Sequence, residues 1–355
     1  MLLIALKLLT DIRPRKGVVF YASSTEGKIF STCCQRVPPY GTSTAAVLYF
    51  SGTGTREEET VDKSSSWRVW LLAARPATLP ASIVPVVVGT AAAVHDVVFL
   101  LLPFLAALVA SVLIQIGTNL ANDVFDFEKG ADTGQRLGPP RVTQSGLASP
   151  QQVRQAMYLS FAAAAVLGLY LISVGGWLIL LLGVLSIAAG VAYTAGPWPL
   201  GYHGLGDLCV FLFFGLVAVM GSYYLQTGTI NLRALAVALP VGCIVTAILV
   251  VNNLRDIETD RRAGKRTLAV RLGARLTRLQ YTLLMLTPFG LVAVCVMLHL
   301  LPMACWLSWL ALPQALRAVR TVLSGVEGAD LNAVLKATAQ LHLFFGVLLT
   351  VGLLW

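Results

Sequence analysis

Two stretches of the sequence carry residue types suited to chemistry on an anionic substrate: NLANDVFDFEKGAD at 119–132 and NNLRDIETDRRAGKR at 252–266. Each places an Asn four residues ahead of an Asp, Asn122 before Asp126 and Asn252 before Asp256, at an offset of 130 residues. The second copy continues to Asp260, whereas the first has Gly130 at that place and reaches Asp132 instead. Residues four apart share a helix face, so Asn122 projects with Asp126, and Asp256 with Asp260. Carboxylates beside amide oxygens form a hard, all-oxygen donor set, which suits Mg²⁺ with substrate phosphates completing its shell. Bases lie next to the acids of both stretches: Lys129, Arg136 and Arg141 beside the first set, Lys265 and Arg266 behind the second. Acids alone would suit cation transport; acids with flanking Lys and Arg suit a metal-bridged diphosphate. Most of the other arginines near the second stretch, Arg255, Arg261, Arg262, Arg271, Arg275 and Arg278, read as charges that orient the chain in a membrane.

These motifs sit at the ends of long apolar runs. The 355-residue chain is 57% hydrophobic and only 12% charged, outside the range of ordinary soluble proteins. Runs of about 18 or more apolar residues recur, the mark of spanning helices. The expected fold is an all-α membrane protein, a bundle of about nine transmembrane helices with an internal repeat. The spans fall near 78–95, 98–120, 155–173, 176–195, 205–226, 234–252, 276–298, 301–318 and 338–355. From Trp67 onward there are 18 Lys or Arg residues, and on this reading all but Arg233 lie on one side. That asymmetry sets the even-ended loops, and the acidic motifs with them, at the cytosolic, stromal or matrix face. The same distribution explains the net charge of +9 without nucleic acid.

Residues 1–66 differ in composition. Through residue 55 they hold two acids against six Lys or Arg, with frequent Ser, Thr and Gly. That suits a transit peptide or a disordered tail, ahead of a membrane domain at 67–355. A transit peptide would place the protein in a chloroplast membrane, its absence in an inner or plasma membrane. The six cysteines and four histidines show no metal-ligand spacing, which argues against a zinc or haem site.

NDVFDFEKGAD and DIETD resemble the two aspartate-rich motifs of the UbiA-type intramembrane aromatic prenyltransferases. The resemblance covers essentially residue 67 to the C-terminus. Four further segments are similar to the 1,4-dihydroxy-2-naphthoate branch of that family: RPATLPASIVPVVVG (75–89), GADTGQRLGPPRVTQSG (130–146), YTAGPWPLGYHGLGDLCVFLFFGLVAVMGSYYLQ (193–226) and NNLRDIETDRRAGKRTLAVRLG (252–273). The resemblance implies Mg²⁺-dependent transfer of a prenyl group, phytyl or polyprenyl, from its diphosphate to 1,4-dihydroxy-2-naphthoate with loss of CO₂. Asn122, Asp126, Asp132, Asn252, Asp256 and Asp260 are then expected at Mg²⁺ and diphosphate, with Asp123 a further metal candidate. Arg136, Arg141, Lys265 and Arg266 would hold diphosphate oxygens, and Tyr193 and Asp207 would position the aromatic acceptor. The apolar interior, open to lipid, would hold the prenyl chain. Alternatives are a homogentisate, chlorophyllide or haem prenyltransferase and, from another class, a cation-coupled transporter.

Overall fold

In the computed structural model, residues 66–130 and 137–355 are described, and all their regular structure is helical. The expectations for residues 1–65, for Asp132 and for Arg136 lie outside them. Val69–Trp355 forms one compact unit.

The elements run α1 (Ser66–Ala74), α2 (Pro80–His95), α3 (Leu101–Glu128), α4 (Pro150–Ala192), α5 (Gly206–Thr227), α6 (Leu232–Arg255), α7 (Ile257–Arg262), α8 (Leu268–Met297), α9 (Leu312–Leu323) and α10 (Leu331–Leu354). Short 3-10 turns precede α2, α5, α9 and α10. Among the described residues, six helices are long and apolar enough to cross a membrane, and a bent pair, Trp67–Thr78 with Pro80–His95, makes up to seven. The nine separate spans expected from the sequence are therefore not seen as such, for two local reasons. The expected third and fourth spans follow one another directly in α4, 43 residues long, with a kink at Gly176 and no loop between them. The expected eighth is split into a 3-10 stretch, Met303–Ala311, and α9.

Yet α4 is not one straight rod. Gly176 has φ 68 and ψ −156, a conformation open essentially to glycine. A Cβ on Gly190 would lie 2.5 Å from Thr118 Oγ1 and 3.8 Å from Phe161 Cζ, and one on Gly117 would lie 2.7 Å from Phe161 Cε1. Phe161 and Gly190 would be about 44 Å apart along a straight helix. Both meet the same turn of α3, so the chain doubles back at Gly176.

The core follows from close approach of small residues. In α6, Val237, Val241, Ile244, Ala247 and Val251 are fully buried, which makes it the central helix. Gly215 of α5 faces Gly242 of α6, and a Cβ there would stand 2.6 Å from the Gly242 Cα. Without a hydrophobic drive between helices in lipid, such backbone contact is how they associate. The contact falls in a π-helical stretch, Phe211–Val217, within α5.

At the end of the bundle away from the acidic motifs, Arg233 pairs with Asp96. Asp96 also accepts from Tyr223 Oη at 2.5 Å and Asn231 Nδ2 at 3.1 Å, while Arg233 Nε donates to the Leu300 carbonyl at 3.1 Å. The one base that breaks the charge asymmetry is thus neutralised in a polar knot joining α2, α5, α6 and the segment after α8.

Candidate active site

The helix α3 carries the first motif to its last turn, where Lys129 caps it and Gly130, at φ 65, turns the chain away. This presents Asn122, Asp123 and Asp126 on the final turns with different fates. Asp123, 1% exposed, accepts from the backbone N–H groups of Val142 at 3.2 Å and Thr143 at 3.1 Å. Both its oxygens thereby help to fix the following loop. Asp126, 2% exposed, meets Arg141 Nη2 at 2.7 Å, Lys265 Nζ at 3.1 Å and the Tyr202 hydroxyl at 2.6 Å. A buried carboxylate needs such partners, and here they are two of the bases expected at the diphosphate. Arg141 also donates to the Asn122 carbonyl, and the Asn122 Oδ1 accepts from Thr194 Oγ1 at 3.1 Å.

The second motif differs in backbone. Asp126 is inside a continuous helix, whereas Asp256 stands at the break between α6 and α7, at φ −98 and ψ 8. The anticipated repeat does not extend to local conformation. The helical bond across the break survives, Asp260 N to Asp256 O at 2.8 Å, so the two acids stay one turn apart as their spacing predicts. Burial lifts the Asp260 carboxyl to about 7; Asp256 and Asp126 push the same way, and Lys265 and Arg255 oppose them. Lys265, on the loop of the second motif, reaches Asp126 of the first at 3.1 Å, so the two motifs share one electrostatic site.

Three residues of this site escaped the sequence reading. Arg255 is not merely a topogenic charge: its side chain is 1% exposed and clasps Asp256, with Nε 2.7 Å from Oδ1 and Nη2 2.5 Å from Oδ2. Its position directly before Asp256 was the available signal. Asn332, at the start of α10, accepts from Arg255 Nη1 at 2.7 Å and donates to the Leu137 carbonyl at 2.9 Å. No sequence signal pointed to it. Tyr202 bonds Asp126 and lies under both Lys129 and Lys265, at 5.0 and 4.7 Å from its ring centre. Lys129 itself donates to the carbonyls of Thr194 at 2.6 Å and Gly196 at 3.2 Å. Arg266 is exposed, with its backbone N–H bonded to the Tyr202 carbonyl at 2.9 Å.

Asp207 is held away from these acids, accepting from Asn253 Nδ2 at 3.3 Å and Gln280 Nε2 at 2.7 Å. It fixes the neighbour of Asn252. Tyr193 follows α4; burial, and Asp207 after it, pushes its phenol well above the ordinary range, so it stays a hydrogen-bond donor. Tyr193 also lines a cavity of about 100 Å³ with Gln115, Thr118, Cys209, Phe213 and Phe214. The α3 wall of that cavity runs back from Thr118 to Ser111, the turns just before Asn122. A largely apolar cavity thus lies along α3 about one turn before the residues of the first motif.

Among the described residues, no three His, Cys, Asp or Glu side chains come close enough to hold a metal ion by themselves. The oxygens of Asn122, Asp126, Asn252, Asp256 and Asp260 nonetheless fit Mg²⁺, which takes one or two carboxylates and completes its shell with water and phosphate.

Known proteins share much of this sequence and its fold. A protein from Mycobacterium tuberculosis, 1,4-dihydroxy-2-naphthoate octaprenyltransferase, is 42% identical over 280 residues, 77% of this chain and 92% of the relative. A 2-carboxy-1,4-naphthoquinone phytyltransferase from Synechocystis is 30% identical over 300 residues, 81% of this chain and 94% of the relative. In fold the chain is similar to a UbiA homologue from Archaeoglobus fulgidus solved with GPP and Mg²⁺, at a TM-score of 0.59 and 14% identity over 81% of this chain and 99% of that one. Bacterial relatives at these identities argue against the chloroplast placement considered above. Residues 82–354 match the UbiA prenyltransferase family, and the chain belongs to that family.

Proposed function

We propose that the protein is a multi-pass membrane enzyme that transfers a prenyl group from its diphosphate, with Mg²⁺, to 1,4-dihydroxy-2-naphthoate with loss of CO₂, in menaquinone or phylloquinone synthesis. The observation that carries this reading is Asp126 held by Arg141 and Lys265 on α3, whose preceding turns wall an apolar cavity. A diphosphate head and an isoprenoid tail need that combination. The name of the Mycobacterium tuberculosis relative supplies the acceptor, that of the Synechocystis relative gives 2-carboxy-1,4-naphthoquinone in its place, and the two divide over the donor, one octaprenyl and one phytyl. We count nine spans, taking the two arms of α4 as separate crossings and Met303–Ala311 with α9 as one more. The charged mouth lies on the side to which the basic residues are confined.

Bound Mg²⁺ supplies positive charge to the diphosphate and so eases its departure. Arg141 and Lys265 exchange Asp126 for diphosphate oxygens, carrying part of the charge that develops as the C–O bond breaks. The bonding electrons leave with the diphosphate, and an allylic cation remains at the top of the cavity. Its apolar wall excludes water that would otherwise trap the cation as an alcohol. Tyr193, kept protonated, donates to an oxygen of the acceptor and orients its ring. The ring carbon bearing the carboxylate attacks the cation; the C–C bond forms, the bond to CO₂ breaks, and its electron pair restores the aromatic ring. No residue has to remove a ring proton.

Purified protein incubated with 1,4-dihydroxy-2-naphthoate, Mg²⁺ and either phytyl or octaprenyl diphosphate is expected to yield the prenylated naphthoquinol. EDTA or Asp256→Ala abolishes it. Absence of product with every donor, from folded protein, sinks the naphthoate assignment.

A further inference from the structure

We propose that Arg255 is a fixed internal cation that makes divalent-metal binding at Asp256 conditional on a diphosphate arriving with the metal. The inference rests on the proposed use of a prenyl diphosphate, and its test separates the two.

The bases of the site fall into two kinds. Lys265 reaches Asp126 from a flexible stem on the loop after α7, with 14% of its side chain exposed, and can turn to a substrate. Arg255 cannot. Its side chain is 1% exposed, and Nε and Nη2 both bind Asp256. Nη2 also donates to Asn252 Oδ1 at 2.9 Å, and Nη1 to Asn332 Oδ1 at 2.7 Å. A Cβ on Gly138 would stand 2.9 Å from Nη2, so loop backbone covers the guanidinium. Asn332 holds that same loop through the Leu137 carbonyl. Moving Arg255 would strand a buried charge and empty four bonds, so it stays when ligands come.

A divalent ion approaching Asp256 alone therefore meets a carboxylate whose charge is already balanced. Beside it the Asn252 oxygen is already accepting a bond, and a guanidinium repels the ion across a poorly screened gap. A diphosphate brings the negative charge that reverses this balance. Metal and diphosphate then bind as a unit, each strengthening the other by the same factor.

The probes are Mn²⁺, followed by its paramagnetic resonance signal in the full-length protein in detergent, and inorganic pyrophosphate. In the unaltered protein pyrophosphate tightens Mn²⁺ binding about tenfold or more, within the usual range for coupled ligands. Arg255→Gln keeps hydrogen-bonding capacity without charge; it binds Mn²⁺ alone about tenfold tighter, and the gain from pyrophosphate shrinks accordingly. Asn332→Asp leaves Arg255 in place but gives it a second carboxylate; it shifts Mn²⁺ binding the same way and covers the case in which Arg255→Gln does not fold. Arg255→Lys, which keeps the charge, retains the pyrophosphate dependence. Unchanged or weaker Mn²⁺ binding in both folded variants, Arg255→Gln and Asn332→Asp, overturns the inference while leaving the prenyl-transfer reading intact. So does equal Mn²⁺ affinity with and without pyrophosphate in the unaltered protein. Failure of the unaltered protein to bind Mn²⁺ under any condition overturns the metal-dependent reading and this inference together.

Discussion

The Tyr202 hydroxyl donates to Asp126 Oδ1 at 2.6 Å, while the ring of the same residue lies against the ammonium groups of Lys129 and Lys265. One side chain thus orients the first-motif carboxylate and two of the cations around it. Its own backbone carbonyl holds the N–H of Arg266 at 2.9 Å, tying the chain before α5 to the second-motif loop.

Tyr202→Phe keeps the ring and loses one hydrogen bond to a charged group, a change of about 1.5–3 kcal/mol in the orientation of Asp126. The expected result is a drop in kcat/KM of roughly tenfold to a hundredfold. Tyr202→Leu also removes the cation–π contacts and raises the donor KM further. Steady-state kinetics on both variants check the order, and equal effects of the two would count against the role given to the ring.

Asp260 sets a pH dependence. Its carboxyl is lifted from 3.8 to about 7, chiefly by burial, so the folded, metal-free protein holds a proton there that the unfolded chain has released. Stability of the metal-free protein therefore declines as pH rises from about 4 to about 7. A ligand carboxylate must be ionised, so apparent Mg²⁺ affinity moves the other way, strengthening with pH up to about 7 and levelling above it. Titration of Mg²⁺ half-saturation from pH 5.5 to 8.5 (roughly the window over which a group near 7 changes charge) tests this. Asp260→Asn is expected to flatten the profile.

The knot around Asp96 is far from the site and should affect stability without chemistry. Asp96→Asn leaves Arg233 without its carboxylate and costs about 1–3 kcal/mol. A lowered melting temperature in detergent, with unchanged KM for the prenyl diphosphate in the surviving protein, is the expected pair of results.

Gly176 is the pivot of the α4 hairpin. Replacement by Ala places a Cβ on a backbone at φ 68 and ψ −156, at a cost of about 1–3 kcal/mol. Thermal unfolding of Gly176→Ala measures it. Gly183→Ala, also in α4, has open space around its new methyl and ordinary helical backbone, and serves as the neutral control.

The sequence by itself determined the apolar class of the chain and its all-helical fold, and it led to the proposed membrane face of the acids and the proposed chemistry of the two motifs. Those properties follow from quantities local to the chain: apolar runs, the placement of Lys and Arg, and the four-residue spacing of Asn122 with Asp126 and of Asp256 with Asp260. Tertiary structure decided which side chains those motifs use as partners. Asp123 and Asp126 stand three residues apart on one helix, yet one is spent on backbone N–H groups and the other faces Arg141, Lys265 and Tyr202. Nothing local distinguishes them, because the choice depends on where the chain returns from residues 141, 202 and 265. The span count stayed open for a related reason. The helical runs on either side of Gly176 follow one another without a loop, and the Gly176 backbone with the contacts of Phe161 and Gly190 on one turn of α3 reveals the reversal. Arg255 looked like one more orienting charge in a basic stretch. Its burial beneath Gly138 and its bond to Asn332 exist only once α6, α10 and the loop after α3 have packed together.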